Sequence, residues 1–173
     1  MKTIKSYFGL SVLMLIIVLS ACNKSQTFEK VDDMVAASTK NVEFITAEDL
    51  KVKIDSMDAF NLIDVREPKE FYHGYIPGSV SIPRGVLEFR IANEDFWMNE
   101  GLYLPEKDEL FIIVCKKGSR SVLAAESLKK LGYKNVLVLD GGWKKWELTY
   151  PLLFEKDLDA LGGHEEVEEV GGC

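Results

Sequence analysis

Apolar and polar positions divide the chain into three stretches. Tyr7 to Leu19 is an almost unbroken apolar run, residues 23–40 are polar without sustained periodicity, and from Asn41 onward short apolar runs alternate with stretches of helical spacing. The runs at 42–45, 60–63, 80–82, 110–114 and 136–139 are rich in β-branched residues and have the length of buried strands. Between them, Val122, Leu123, Ala125, Leu128 and Leu131 recur at helical spacing, and Gly132 follows as a stop. Thr46 stands three residues before Asp49 as an N-cap for a helix through Leu50 and Ile54. A further helix is predicted over 84–92, after a loop-rich connection marked by Pro77, Gly78 and Pro83. Strands alternating with helices predict an α/β fold, with a central, mostly parallel five-stranded sheet flanked by helices in one domain over 41–153.

Lys2 and Lys5 precede the first apolar run and small residues follow it, the pattern of a secretory signal peptide over residues 1–21. The run is shorter than the roughly 20 apolar residues that a spanning helix needs, so removal of the leader is expected. Its end, Leu19-Ser20-Ala21-Cys22, resembles the lipobox of bacterial lipoproteins. That resemblance implies lipidation of Cys22, an exported protein held at the cell envelope by its N-terminal lipid, and residues 22–40 as a flexible tether. Asn23, where Asp would favour retention in the inner membrane, implies the outer membrane facing the periplasm in a Gram-negative organism.

Charge narrows the partners. Loss of Lys2 and Lys5 takes the net charge from −7 to −9, yet residues 42–153 hold 15 basic against 18 acidic side chains. The excess lies in the acidic tail, residues 154–173, where Glu155, Asp157, Asp159, Glu165, Glu166, Glu168 and Glu169 face one lysine, Lys156. A near-neutral domain with no basic stripe argues against nucleic acid as a partner. With Cys22 assigned to the anchor, only Cys115 and Cys173 remain, too few for a disulfide scaffold. Cys173 closes the tail on a span long enough to reach Cys115, but a terminal cysteine without a role is the simpler reading. Neither His73, His164 nor the cysteines have metal-ligand spacing, and no cofactor is expected.

Cys115 stands at the end of a buried-strand run and just before a helix, with Lys116-Lys117-Gly118-Ser119-Arg120-Ser121 between and into it. Unpaired amide groups and the dipole at a helix N-terminus stabilise an anion, here a thiolate nucleophile. Lys116, Lys117 and Arg120 add positive charge, and Gly118 supplies the positive φ that a loop curled around one atom requires.

Five motifs then occur in order: Asp64-Val65-Arg66-Glu67 with Glu70-Phe71, Gly74-Tyr75-Ile76-Pro77-Gly78-Ser79, Ile82-Pro83, the Cys115 to Ser121 loop, and Asp140-Gly141-Gly142-Trp143 with Trp146. In this order they resemble rhodanese-like domains, the sulfurtransferase family, over about residues 42–153. The resemblance implies a rhodanese fold and sulfur transfer through a persulfide on Cys115, from a small anionic donor such as thiosulfate to a thiol or cyanide. Asp64 and Arg66 are expected to support neighbouring loops by hydrogen bonds, and Gly141-Gly142-Trp143 to form a turn packed by its tryptophan. Tyr75 replaces a histidine common in the family at a position that is not catalytic. The segment 84–109 is longer than in the shortest members, and its Phe96, Trp97 and Tyr103 either wall the site or simply pack.

Two other readings remain. Phosphatases and arsenate reductases use Cys and Arg loops, but theirs hold one residue more than the four between Cys115 and Arg120, and a shorter loop suits a single sulfur atom. A non-catalytic sulfide-binding or interaction module could also use the fold, although such modules usually lack the cysteine. The anchor has its own test. Cys22→Ala is expected to give an unlipidated protein, released outside the cytoplasm or retained as precursor; normal incorporation of labelled lipid would remove the lipoprotein assignment.

Overall fold

The computed structural model describes residues 26–161. The leader, Cys22 and Cys173 lie outside the described residues. By its contacts the chain divides after Val31, and the fold below is that of the unit beginning at Asp32. Its helices are α1 (Val31–Thr39, which straddles the division), α2 (Ala47–Asp55), α3 (Pro68–Tyr72), α4 (Leu87–Arg90), α5 (Glu94–Asn99), α6 (Ser119–Lys130), α7 (Gly142–Thr149) and α8 (Leu158–Leu161). The strands are β1 (Glu43–Ile45), β2 (Asn61–Asp64), β3 (Ser79–Ser81), β4 (Leu110–Val114) and β5 (Asn135–Leu139).

The strands form one sheet in the order β1-β5-β4-β2-β3, and every pairing is parallel. The expected "mostly parallel" sheet is thus wholly parallel, as it must be when each strand is followed by a crossover. Such sheets are covered on both faces, which is why β4 reads as a continuous apolar run. Along β4 the side chains alternate between two cores. Phe111, Ile113 and Cys115 join one with Ile63, Trp97, Val122 and Leu128, while Ile112 and Val114 join the other with Leu50, Leu62 and Trp146.

Local chemistry sets the element ends. Thr46 caps α2, accepting from the Asp49 amide at 3.0 Å. Gly132 ends the turn after α6 at φ +92°, a conformation that costs other residues a Cβ clash. The helix expected over 84–92 is a 3₁₀ turn, Arg84–Val86, that runs into α4.

Two boundaries differ from the sequence reading. Within the segment read as a tether, α1 forms; its Val35 packs against the core, and buried Ser38 donates to Glu126 at 3.0 Å. Too short to display a clear period, the helix is held by packing and by that partly buried bond. The domain also runs past 153: Tyr75 and Glu155 exchange backbone hydrogen bonds at 2.9 and 3.0 Å, and the Asp157 amide donates to Tyr72 at 3.1 Å. Phe154 lies edge-on to Trp143. Acidic composition there concealed pairing made by the backbone, to which side-chain charge is indifferent. No helix among the described residues is long and apolar enough to cross a membrane.

Candidate active site

The parallel order brings together what the sequence separates. β5, β4 and β2 are neighbours, and at their carboxyl ends lie Gly141 to Trp143, Cys115 and Asp64 to Arg66 respectively. The carboxyl ends of parallel strands are where open α/β sheets build their sites.

Cys115 is 1% exposed. Its Sγ accepts from the backbone amide of Gly118 at 3.2 Å and from that of Ser121 at 3.4 Å. Gly118, at φ +106°, is the N-cap of α6, so the sulfur faces the positive end of a twelve-residue helix. The Ser121 side-chain hydroxyl is buried and has no hydrogen-bond partner among the described residues. Lys116, Lys117 and Ser119 are exposed. Lys116 and Lys117 line the cleft described below.

The loop is held from behind by α7. Trp143 N donates to the Cys115 carbonyl at 2.8 Å and Lys144 N to the Lys116 carbonyl at 3.0 Å. Gly142, at φ +59°, makes this approach possible: a Cβ there would stand 2.2 Å from the Cys115 carbonyl oxygen. The Gly141-Gly142 pair expected to form a packed turn is therefore also the clamp of the cysteine loop.

Arg120 holds its charge in an ion pair. Its Nη1 and Nη2 donate to the two carboxylate oxygens of Glu70 at 2.6 and 2.8 Å. Those bonds hold the Glu70 carboxyl below its ordinary range. The positive charge that sequence reading credited to Arg120 is thus opposed by Glu70, and Lys116 and Lys117 carry what remains in the loop.

Asp64 and Arg66, at 1% and 2% exposure, form a buried pair. Arg66 Nε donates to Asp64 Oδ2 at 2.8 Å and Nη2 to the same oxygen at 2.6 Å, while the Arg66 amide donates to Oδ1 at 3.0 Å. Burial pushes the Asp64 carboxyl up, against the guanidinium that pulls it down. The remaining guanidinium donors reach the carbonyls of Glu70 and Gly74 at 3.2 and 2.8 Å, and the group lies 4.7 Å from the Trp143 ring centre. Arg66 thereby ties the α3 segment to the α7 segment around the cysteine.

Beside the loop opens a cleft of about 410 Å³. Its cationic walls are Lys69, Lys116, Lys117, Lys144 and one edge of Arg66, and Glu70, Glu147, His73 and Trp143 complete it. Phe96, Trp97 and Tyr103 take no part. Trp97 is core and donates to Ile91, Phe96 sits against Arg90, and Tyr103 bonds to Glu109, so these aromatics of the 84–109 segment pack.

A family model for the rhodanese-like domain matches residues 46–149. The chain belongs to the rhodanese-like domain family. YrkF of Bacillus subtilis, provisionally named a sulfur carrier protein, is 39% identical over 109 residues, 63% of this chain and 53% of its own. A mitochondrial protein of Schizosaccharomyces pombe, provisionally named a thiosulfate sulfurtransferase, is 39% identical over 87 residues, 49% of this chain and 61% of its own. The chain thus spans between half and two thirds of these relatives. A solved structure from Rhodopseudomonas palustris, described as a protein of unknown function and possible tyrosine phosphatase, superposes with a TM-score of 0.61 at 30% identity, covering 73% of this chain and 96% of that one.

Sequence reading centred the candidate site on the Cys115 loop and did not include Glu70 as the partner of Arg120, or Lys69, His73, Lys144 and Glu147 as cleft walls. Glu70 stood within a quoted motif, yet nothing along the chain announces a pairing across 50 positions. For Gly142→Ala the clash and the positive φ predict loss of at least ~1 kcal/mol of stability and a displaced loop. Denaturant unfolding and the alkylation rate of Cys115 check it; an unchanged rate would show that the clamp is dispensable.

Proposed function

We propose that this rhodanese-like domain is a thiosulfate-type sulfurtransferase. The observation that carries the reading is the pair of backbone amides donating to the buried sulfur of Cys115 at the start of α6. They stabilise negative charge on that sulfur, which is what both the attacking thiolate and the persulfide product require. The relatives named for sulfur transfer and sulfur carriage support the same chemistry.

In the first half-reaction Cys115 thiolate attacks the outer sulfur of thiosulfate. A Cys115–sulfur bond forms, the sulfur–sulfur bond of the donor breaks, and sulfite leaves with the electron pair. In the second, cyanide or a thiolate attacks the outer persulfide sulfur, and Cys115 leaves as thiolate. The Ser121 hydroxyl, without a hydrogen-bond partner among the described residues, is a further donor for an anion in the loop. Lys116 and Lys117 recruit the anionic donor at the cleft mouth.

The interaction-module reading gains little, because cysteine, amides and clamp are all present. The phosphatase reading is weakened by the short loop and by Arg120, whose fork is already filled by Glu70. From the leader pattern and Cys22 we place the domain outside the cytoplasm on a lipid anchor.

Cys115→Ser is expected to retain the fold, to gain no sulfur atom on exposure to thiosulfate, and to lose thiosulfate:cyanide turnover by roughly 10³-fold or more. Mass spectrometry of the intact protein and thiocyanate release measure the two, and retained turnover would sink the mechanism. Lys116→Glu with Lys117→Glu is expected to raise KM for thiosulfate several-fold at low ionic strength and to flatten its salt dependence. An unchanged KM would mean that the backbone amides suffice.

A further inference from the structure

Transfer to a thiol poses a problem that transfer to sulfite, an anion near neutral pH, does not: a thiol is a poor nucleophile until it has lost its proton. A base in the cleft that took that proton would speed the step, and few of the walls can act as one. The lysine ammonium groups are donors without a lone pair. Glu70 has both carboxylate oxygens on Arg120, which holds it below its ordinary range and makes it a weak base. Glu147 accepts from Lys144 at 3.4 Å. His73 is left.

His73 follows α3 at its C-cap, is exposed, and lines the same cleft as Lys116 and Lys117 of the cysteine loop. Its position is fixed on both sides. Its backbone amide donates to Phe71, and its ring Nδ1 lies 2.6 Å from the Lys69 carbonyl. A carbonyl oxygen only accepts, so Nδ1 carries the hydrogen and the lone pair of the neutral ring is on Nε2. The next residue, Gly74, lies against the indole of Trp143, whose own amide holds the Cys115 carbonyl.

We propose that His73 is the base for the acceptor half-reaction, its Nε2 taking the proton of an incoming thiol. This rests on the sulfurtransferase reading. The S–H bond of the thiol breaks and its proton passes to Nε2. The thiolate sulfur bonds to the outer sulfur of the Cys115 persulfide, the Cys115 sulfur–sulfur bond breaks, and Cys115 keeps its electron pair. The new persulfide departs and His73 releases its proton to water. No oxidant or reductant is consumed. Lys69 and Glu70 of α3, Lys116 and Lys117 of the loop, and Lys144 and Glu147 of α7 are the charged groups around this step.

The test separates the two half-reactions in single turnover. Wild type and His73→Gln, which keeps a donor for the Lys69 carbonyl but has no basic nitrogen, are loaded with thiosulfate and freed of excess donor. Persulfide is then discharged with sulfite or with 2-mercaptoethanol between pH 6 and 9. The expected result is equal loading and equal sulfite discharge, with thiol discharge in the variant slowed on the order of 10²-fold near neutral pH. Its rate should then climb with the ionisation of free thiol, converging on wild type at the alkaline end. Equal thiol rates and equal pH profiles would overturn the role of His73. Failure of wild type to load sulfur would instead overturn the sulfurtransferase reading beneath it.

Discussion

A peptide plane is rigid, so fixing a carbonyl fixes the direction of the amide that follows it. The amides of Trp143 and Lys144 hold the carbonyls of Cys115 and Lys116, which turns the N–H groups of Lys116 and Lys117 away from α7. The cysteine loop thus takes its shape from two hydrogen bonds at a close backbone approach, and a glycine is what that approach allows. A helix start that lacks four intrahelical acceptors supplies the donors, so the N-terminus of α7 shapes the loop while that of α6 faces the sulfur.

The second requirement is that the pieces stay in place, and here the buried Asp64–Arg66 pair matters more than any surface charge. An isolated guanidinium at that depth would be prohibitive, and what makes it tolerable is a nearly complete set of acceptors: the Asp64 carboxylate, two carbonyls and the face of Trp143. Removing the carboxylate would strand the cation at a cost of about 3–5 kcal/mol. By contrast the Arg120–Glu70 bridge, about a third exposed on each side, serves more to orient than to stabilise.

Legibility followed locality. β4 was readable because two-sided burial leaves an unbroken apolar run, and Thr46, Gly118 and Gly132 were readable because a cap or a positive φ demands a particular residue at one position. The cysteine at a helix start followed from the strand and helix that flank it. What could not be read depended on distant partners: α1 needs Glu126 from α6, the tail needs Tyr75, and Arg120 needs Glu70. Gly142 was quoted within a motif and read only as part of a turn, because the carbonyl it must avoid lies far back in the chain.

Alternation along β4 has a consequence for how the domain tolerates changes in length. Cys115 shares a face with Phe111 and Ile113, so one residue inserted within the strand would exchange the two layers and carry the sulfur to the opposite side of the sheet. The segments that feed the amino ends of the strands, such as 56–60, 100–109 and 131–134, touch neither the clamp nor the amides of the loop. A change of length in those segments leaves the clamp and the amides in place, while one in the loop from Cys115 to Gly118 moves both.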